Sequence, residues 1–164
     1  MAVDDPAILT LLGWLQSEQG KSAEARETFR RSLELKADQF LAAFNYAILS
    51  LRADDREVGL RWLRRATTID PKSAVAWRFL ALELVRQDLK DEALPVAERT
   101  LRLAPDDTEI QNLVRKLKGG GDEIDASFTI DFGDTPLPAA APKAPEPKGS
   151  GVFDLSVVKI GNDD

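Results

Sequence analysis

Apolar residues recur at intervals of three and four along most of residues 6–118, which is the spacing of amphipathic α-helices. Short polar turns separate these segments, and Gly20, Asp54 and Asp88 suit tight connections between helices. The segments fall into pairs, and we predict an all-α fold built from helix pairs. The predicted first helices cover 6–19, 41–53 and 74–87, and the predicted second helices cover 22–35, 56–69 and 90–103.

The same pattern returns every 34 residues. Ala37, Pro71 and Pro105 stand in register after the helix ends SLELKA, ATTIDP and TLRLAP, and proline fits there because it cannot continue a helix. Small residues also recur where the two helices of a pair should touch. They are Gly13, Ala47 and Ala81 on the first helices and Ala25, Gly59 and Ala93 on the second. A repeat of this length indicates a solenoid of stacked helix pairs.

This register resembles the tetratricopeptide repeat (TPR) family. Its signature has a bulky residue at place 4 of each unit, Leu at 7, Gly or Ala at 8, Ala at 20, an aromatic residue at 24 and Pro at 32. The resemblance implies repeats over 6–39, 40–73 and 74–107. In four departures, Ala37 replaces the first Pro, Gly59 replaces Ala, Pro95 lies inside the last second helix, and Glu83 falls beside core places. At Pro95 we expect a local bend, or a helix start nearer Glu92.

A terminal repeat cannot bury its own apolar face, so it needs a cover. Residues 108–118 carry Ile110, Leu113, Val114 and Leu117 on one face and predict a capping helix, with Thr108 as its N-cap. We therefore predict a TPR domain over 1–118. Residues 119–164 are rich in Pro, Ala and acid, and we predict a mostly extended tail.

Charge and composition exclude several function classes. Residues 1–118 contain 19 basic and 19 acidic residues, so the net charge of −6 lies in residues 119–164. The lack of a basic excess argues against nucleic-acid binding. No apolar run reaches the roughly 20 residues of a membrane helix and no signal peptide is evident, so we predict no membrane insertion and a cytoplasmic location.

The residue types also limit the available chemistry. The chain has no Cys and no His, which excludes thiol nucleophiles, Cys/His zinc sites and imidazole acid/base catalysis. Acidic pairs such as Asp54 with Asp55 stand at turns and have no convergent partners. We predict no enzymatic activity, no catalytic residue, no metal and no cofactor.

The TPR resemblance implies a concave groove lined by the first helices, in which places 2, 5, 9, 12 and 13 face an extended peptide. The second repeat's first helix is apolar nearly all round, so it needs burial on both sides. The predicted peptide-binding residues form an apolar floor with arginines at its edge: Trp14, Leu41, Phe44, Ile48, Leu51, Leu82, Arg52, Arg78 and Arg86. The alternative is that some of them only pack neighbouring helices. Of the family's carboxylate-clamp positions only Asn45 matches, which disfavours that mode.

Arginines also cluster on the second helices, for example at Arg61, Arg64 and Arg65 around Trp62. They could form a basic stripe for an acidic partner. Nearby glutamates offer local ion pairs, so a solvated face is the favoured interpretation.

Two short apolar segments of the tail, 124–132 and 152–160, have the pattern of strands or docking motifs. Their apolar residues are Ile124, Phe128, Ile130, Phe132, Phe153, Leu155 and Val157. They could recruit another partner, lie in the chain's own groove, or pair with a neighbouring copy in a swapped arrangement. Gly149, Ser150 and Gly151 resemble an engineered joint, which leaves open that residues 152–164 are a fused ligand peptide.

We therefore expect a bacterial adaptor or scaffold that binds a protein or peptide partner of acidic and apolar character, with the tail as a docking or self-docking element. The alternative is a dedicated chaperone resembling those of type III secretion translocators. That family has an additional helical segment before its repeats, whereas the first repeat starts here at Pro6.

Overall fold

A computed structural model of the chain describes residues 5–119. Its helices are α1 (Pro6–Glu18), α2 (Ser22–Leu35), α3 (Phe40–Arg52), α4 (Arg56–Ile69), α5 (Ala74–Arg86), α6 (Lys90–Leu103) and α7 (Thr108–Gly119). The predicted all-α solenoid of three helix pairs and a capping helix is confirmed for these residues. The predictions for the tail fall outside them.

Helix α6 has the predicted range: it begins at Lys90 and continues through Pro95 to Leu103. The later start near Glu92, offered as one of two consequences of Pro95, is wrong. Pro95 is exposed, so its ring lies on the side of the helix that faces away from the core.

The two helices of each pair are joined by the same turn. Gly20, Asp54 and Asp88 take positive φ angles of 76°, 59° and 60°. In the first pair, the Lys21 amide donates to the Gln16 carbonyl at 2.9 Å and the Gly20 amide to the Ser17 carbonyl at 2.9 Å. The equivalent bonds recur in the other two pairs, and together they form a Schellman motif that satisfies the last carbonyls of each first helix.

Polar side chains cap four helix starts. Oδ1 of Asp5 accepts from the Ala7 amide at 2.8 Å, and Asp55 and Ser73 cap α4 and α5 in the same manner. At α7 the cap is Asp107, whose Oδ1 accepts from the Ile110 amide at 3.1 Å. Thr108, which the sequence suggested as this cap, is the first residue of the helix instead.

The helices of each pair approach closely because the residues that face each other are matched in size. A Cβ atom on Gly13 would lie 3.0 Å from Cδ1 of Phe29, a fully buried ring. The residues at the same two places in the next repeats are Ala47 with Leu63 and Ala81 with Ala97. Among the three repeats, the smallest first-helix residue at this place, Gly13, thus faces the largest second-helix residue, Phe29.

The capping helix α7 covers the end of the third pair. Ile110 and Leu113 are fully buried, and α7 packs against α6. Ion pairs hold both ends of α7: Arg78 Nε lies 3.0 Å from Asp107 Oδ2, and Lys118 Nζ lies 2.6 Å from Glu98 Oε1. The hydrogen bond from Lys118 lowers the pKa of the Glu98 carboxyl below its ordinary value.

Candidate peptide-binding surface

The predicted groove residues lie on the first helices α1, α3 and α5, with Phe44 at their centre. Phe44 stacks on Phe40 with ring centroids 5.8 Å apart, and Phe79 meets it edge to face at 5.6 Å. These geometries are favourable for aromatic pairs. The structure therefore brings the rings of α3 and α5 together in one row.

The other predicted floor residues differ in their exposure. Ile48, Leu51 and Leu82 are buried, as is Phe44, whereas Trp14 and Leu41 are half-buried. Leu51 lies against Gly59 of α4, so its side chain packs the two helices of the second repeat. For Leu51 this contact corresponds to the alternative interpretation, in which the residue packs a neighbouring helix.

The three predicted arginines have different surroundings. Arg52 is exposed at the end of α3. Arg78 pairs with Asp107 and also donates to Glu109 of α7, so its charge is used in holding the capping helix. Arg86 Nε lies 3.0 Å from Oε2 of Glu83, which is fully buried and also accepts from Gln87 Nε2 at 2.8 Å.

Several polar atoms on the first helices are buried without a hydrogen-bond partner in the described part of the chain. They include the indole Nε1 of Trp14, Oδ1 of Asn45 and Oγ of Ser50. Leaving such a group unpaired costs about 1–3 kcal/mol, so most buried polar groups find a partner.

A second surface feature lies on α4, outside the predicted groove. It is a cleft of about 920 Å³ lined partly by Leu60, Trp62 and the arginines at 56, 61, 64 and 65. Trp62 packs edge to face on Tyr46 at 5.8 Å, and Arg64 Nη2 lies 2.6 Å from Glu92 Oε2. The sequence identified Arg61, Arg64 and Arg65 but favoured a plain solvated face, because helix periodicity does not predict a cleft.

The remaining predictions concern other parts of the molecule or other chemistry. The tail docking residues lie beyond Gly119 and outside the described residues. Within 5–119, no helix is long and apolar enough to cross a bilayer. Over the same range, no group of three or more acidic, Cys or His residues is arranged to hold a metal ion.

Comparison with known proteins identifies the repeat. The family model described as "Tetratricopeptide repeat" matches residues 6–39. No curated protein matches the chain.

Solved structures share the arrangement of helices at low sequence identity. The crystal structure of MamA is 18% identical with a TM-score of 0.67, over 73% of this chain and 70% of that chain. The first TPR of Spaghetti (RPAP3) bound to the HSP90 peptide SRMEEVD is 20% identical with a TM-score of 0.62, over 73% of this chain and 98% of that one. YrrB, described as a TPR protein with an unusual peptide-binding site, is 16% identical with a TM-score of 0.60, over 68% and 58%.

At these identities the likeness concerns the fold alone. The family match covers the first helix pair, and the two pairs that follow repeat its turn, its small-residue contacts and its 34-residue spacing. Residues 6–39 are therefore a tetratricopeptide repeat, and the three helix pairs together have the fold of stacked tetratricopeptide repeats.

Proposed function

We propose that this protein is an interaction adaptor that binds an extended segment of a partner protein along its first helices. The observation that carries the proposal is a pair of half-buried rings on the first helices: Trp14 on α1 and Phe40 on α3, which stacks on the buried Phe44 at 5.8 Å. Apolar side chains of a peptide would contact these two rings. Two solved proteins of this fold, the first TPR of Spaghetti (RPAP3) and YrrB, have a bound peptide or a peptide-binding site, which supports the same use here.

The partner segment is expected to combine apolar and acidic residues. Arg52 is exposed at the end of α3, and Arg86 ends α5 at the equivalent place. Positive charges at the rim of a binding surface favour an acidic ligand mainly through its association rate. The clamp that holds a C-terminal carboxylate in part of the family is not expected, because Asn45 alone matches it.

The tail supplies a candidate ligand within the same chain. Residues 122–134 contain five acidic residues and no basic residue, together with Phe128, Ile130 and Phe132. This composition fits an apolar surface with arginines at its rim. A self-docked tail would compete with a partner, so the adaptor would be autoinhibited.

A pull-down with the full chain tests the adaptor proposal. Arg52→Glu should reduce capture of partners, whereas Arg61→Glu on α4 should not. Phe44→Ala should also abolish capture, and Phe29→Ala is its control because this ring is equally buried between α1 and α2. If Arg52→Glu and Phe44→Ala leave every captured protein in place, the first helices are the wrong surface.

Self-docking needs a separate measurement. Removal of residues 121–164 should raise the affinity for a captured partner segment, and a synthetic peptide of residues 122–134 should compete with that segment. Unchanged affinity after truncation rejects self-docking and leaves the adaptor proposal standing.

A further inference from the structure

Helix α1 exposes a continuous apolar stripe. Six large apolar side chains are exposed in the described part of the chain, and four of them lie on α1. They are Ile8, Leu11, Leu12 and Leu15, each between 44% and 54% exposed. Their spacing of three and four residues places them on one face, opposite Leu9 and Gly13, which α1 buries. Helix α1 is therefore apolar on both faces, and one face has no cover within residues 5–119.

The equivalent positions on α3 and α5 show how this helix face is used in the other two repeats. The residues at the same places are Ala42, Asn45, Tyr46 and Leu49 on α3, and Ala76, Phe79, Leu80 and Glu83 on α5. All are buried except Tyr46, which is half-buried. Helices α3 and α5 each pack between two second helices, whereas α1 packs against α2 and only weakly against α3. The stripe is therefore a helix-packing surface at the open end of the solenoid.

The helix that covers this stripe must be apolar and uncharged at the contact. Helix α7, at the other end of the solenoid, exposes Gln111, Asn112, Arg115 and Lys116, so head-to-tail stacking of copies would bury charge. Residues 6–17 contain no charged side chain. Among the helices of residues 5–119, α1 itself is the one with an exposed apolar stripe, and it is thus the best match for its own surface.

We propose that the α1 stripe is the contact of a homodimer, in which it packs against the same stripe of a second copy across a two-fold axis. Four large side chains per copy form a small interface, so the dimer dissociates on dilution. Thr10 and Trp14 lie off the stripe on the side of the proposed peptide surface. Dimerisation therefore leaves the proposed peptide surface of each copy open. The dimer presents two such surfaces, which strengthens binding to a partner with two copies of the recognised segment.

Sedimentation velocity of the full chain over a wide concentration range tests the proposal. The wild-type chain should shift from monomer to dimer as its concentration rises. Leu11→Glu should raise the dimer dissociation constant by at least about a hundredfold, because the two-fold axis places two buried carboxylates in each interface. Val75→Glu is the matched control, since Val75 is exposed on α5 away from the stripe, and it should leave the dimer intact.

Circular dichroism should show the same helix content in all three proteins, because the substituted residues are exposed. A wild-type chain that stays monomeric at every concentration overturns the proposal. Equal loss of the dimer in Leu11→Glu and Val75→Glu also overturns it, since the contact would then not be specific to α1.

Cross-linking gives an independent readout, because the chain contains no cysteine. Single cysteines at positions 8, 11, 12 and 15 should include at least one that a short bismaleimide links into a covalent dimer. A cysteine at position 75 should give none. If no stripe position cross-links while the chain sediments as a dimer, a different surface forms that dimer and the proposal fails.

Discussion

The Cδ2 atom of Leu51 occupies the space beside Gly59, where an added Cβ atom would lie only 2.3 Å away. The residues at the same two places are Ser17 with Ala25 in the first repeat and Val85 with Ala93 in the third. The largest of the three first-helix residues thus faces the smallest second-helix residue. Gly59, which departs from the family's alanine, is explained by its neighbour on α3.

Gly59→Ala should therefore lower the free energy of unfolding by about 1–3 kcal/mol, since a methyl group forced into a packed contact displaces a buried side chain. Without that contact, the substitution would raise stability by about 1 kcal/mol through helix propensity. Chemical denaturation distinguishes the two signs. Adding Leu51→Val, which reproduces the pair of the third repeat, should restore most of the loss, and a stabilised Gly59→Ala protein would contradict the prediction.

The turns between paired helices give a second prediction. Asp88 takes a φ of 60°, a left-handed conformation that costs an L-residue more than glycine. Asp88→Gly should raise the free energy of unfolding by about 0.5–1 kcal/mol. Gly20→Ala is the reverse test, because nothing lies within 4 Å of the added Cβ and the effect is confined to the backbone. This substitution should cost about 1 kcal/mol, and no change in either variant would show that the turns are unstrained.

The buried Glu83 provides a third prediction. The equivalent residues in the other repeats are Leu15 and Leu49, so leucine fits this place of the helix. Replacing both partners of a buried ion pair with well-packed apolar residues is often neutral or stabilising, by about 1–4 kcal/mol, whereas removing one partner is destabilising. The double variant Glu83→Leu with Arg86→Met should therefore unfold at the same or higher denaturant concentration than the wild type. Glu83→Leu alone should unfold at a lower concentration, because it removes one partner of the pair. A Glu83→Leu protein as stable as the double variant would show that the ion pair contributes nothing to stability.

A pH dependence follows from the ion pair of Lys118 with Glu98. The bonded ammonium group lowers the pKa of Glu98 in the folded state, so folding favours the ionised carboxyl. The stabilisation is complete above the ordinary value of 4.5 and is lost as the pH falls through the lower folded-state pKa. In thermal unfolding, the Tm of Glu98→Gln should lie slightly below that of the wild type at neutral pH and should equal it in strong acid. Lys118→Met should behave in the same way, and a difference that persists in acid would assign the effect to packing.

Much of the fold followed from local chemistry in the sequence. The helix ends were predicted because Gly20, Asp54 and Asp88 recur at the spacing of the repeat and mark the turns. At α7, Thr108 and Asp107 both suit an N-cap, and only the backbone geometry distinguishes them.

The surface features were harder to predict, because they depend on relations between helices. The sequence placed Leu51 and Phe44 on a groove floor, but their burial depends on the neighbours that the stacked repeats bring against them. The exposed stripe of α1 follows from the same rule that predicts α7, because the first repeat of a solenoid also leaves an apolar face without a neighbouring repeat.

The matched contacts at Gly13 with Phe29 and at Leu51 with Gly59 mean that the helices of this periodic chain are not interchangeable. If α2 paired with α3 as α4 does, Ala25 would place a methyl group where Leu51 needs room. If α2 paired with α5, Phe29 would meet Ala81 in place of a glycine. Shuffled pairings between structurally equivalent repeats are thus disfavoured sterically, so each first helix fits its own second helix better than another.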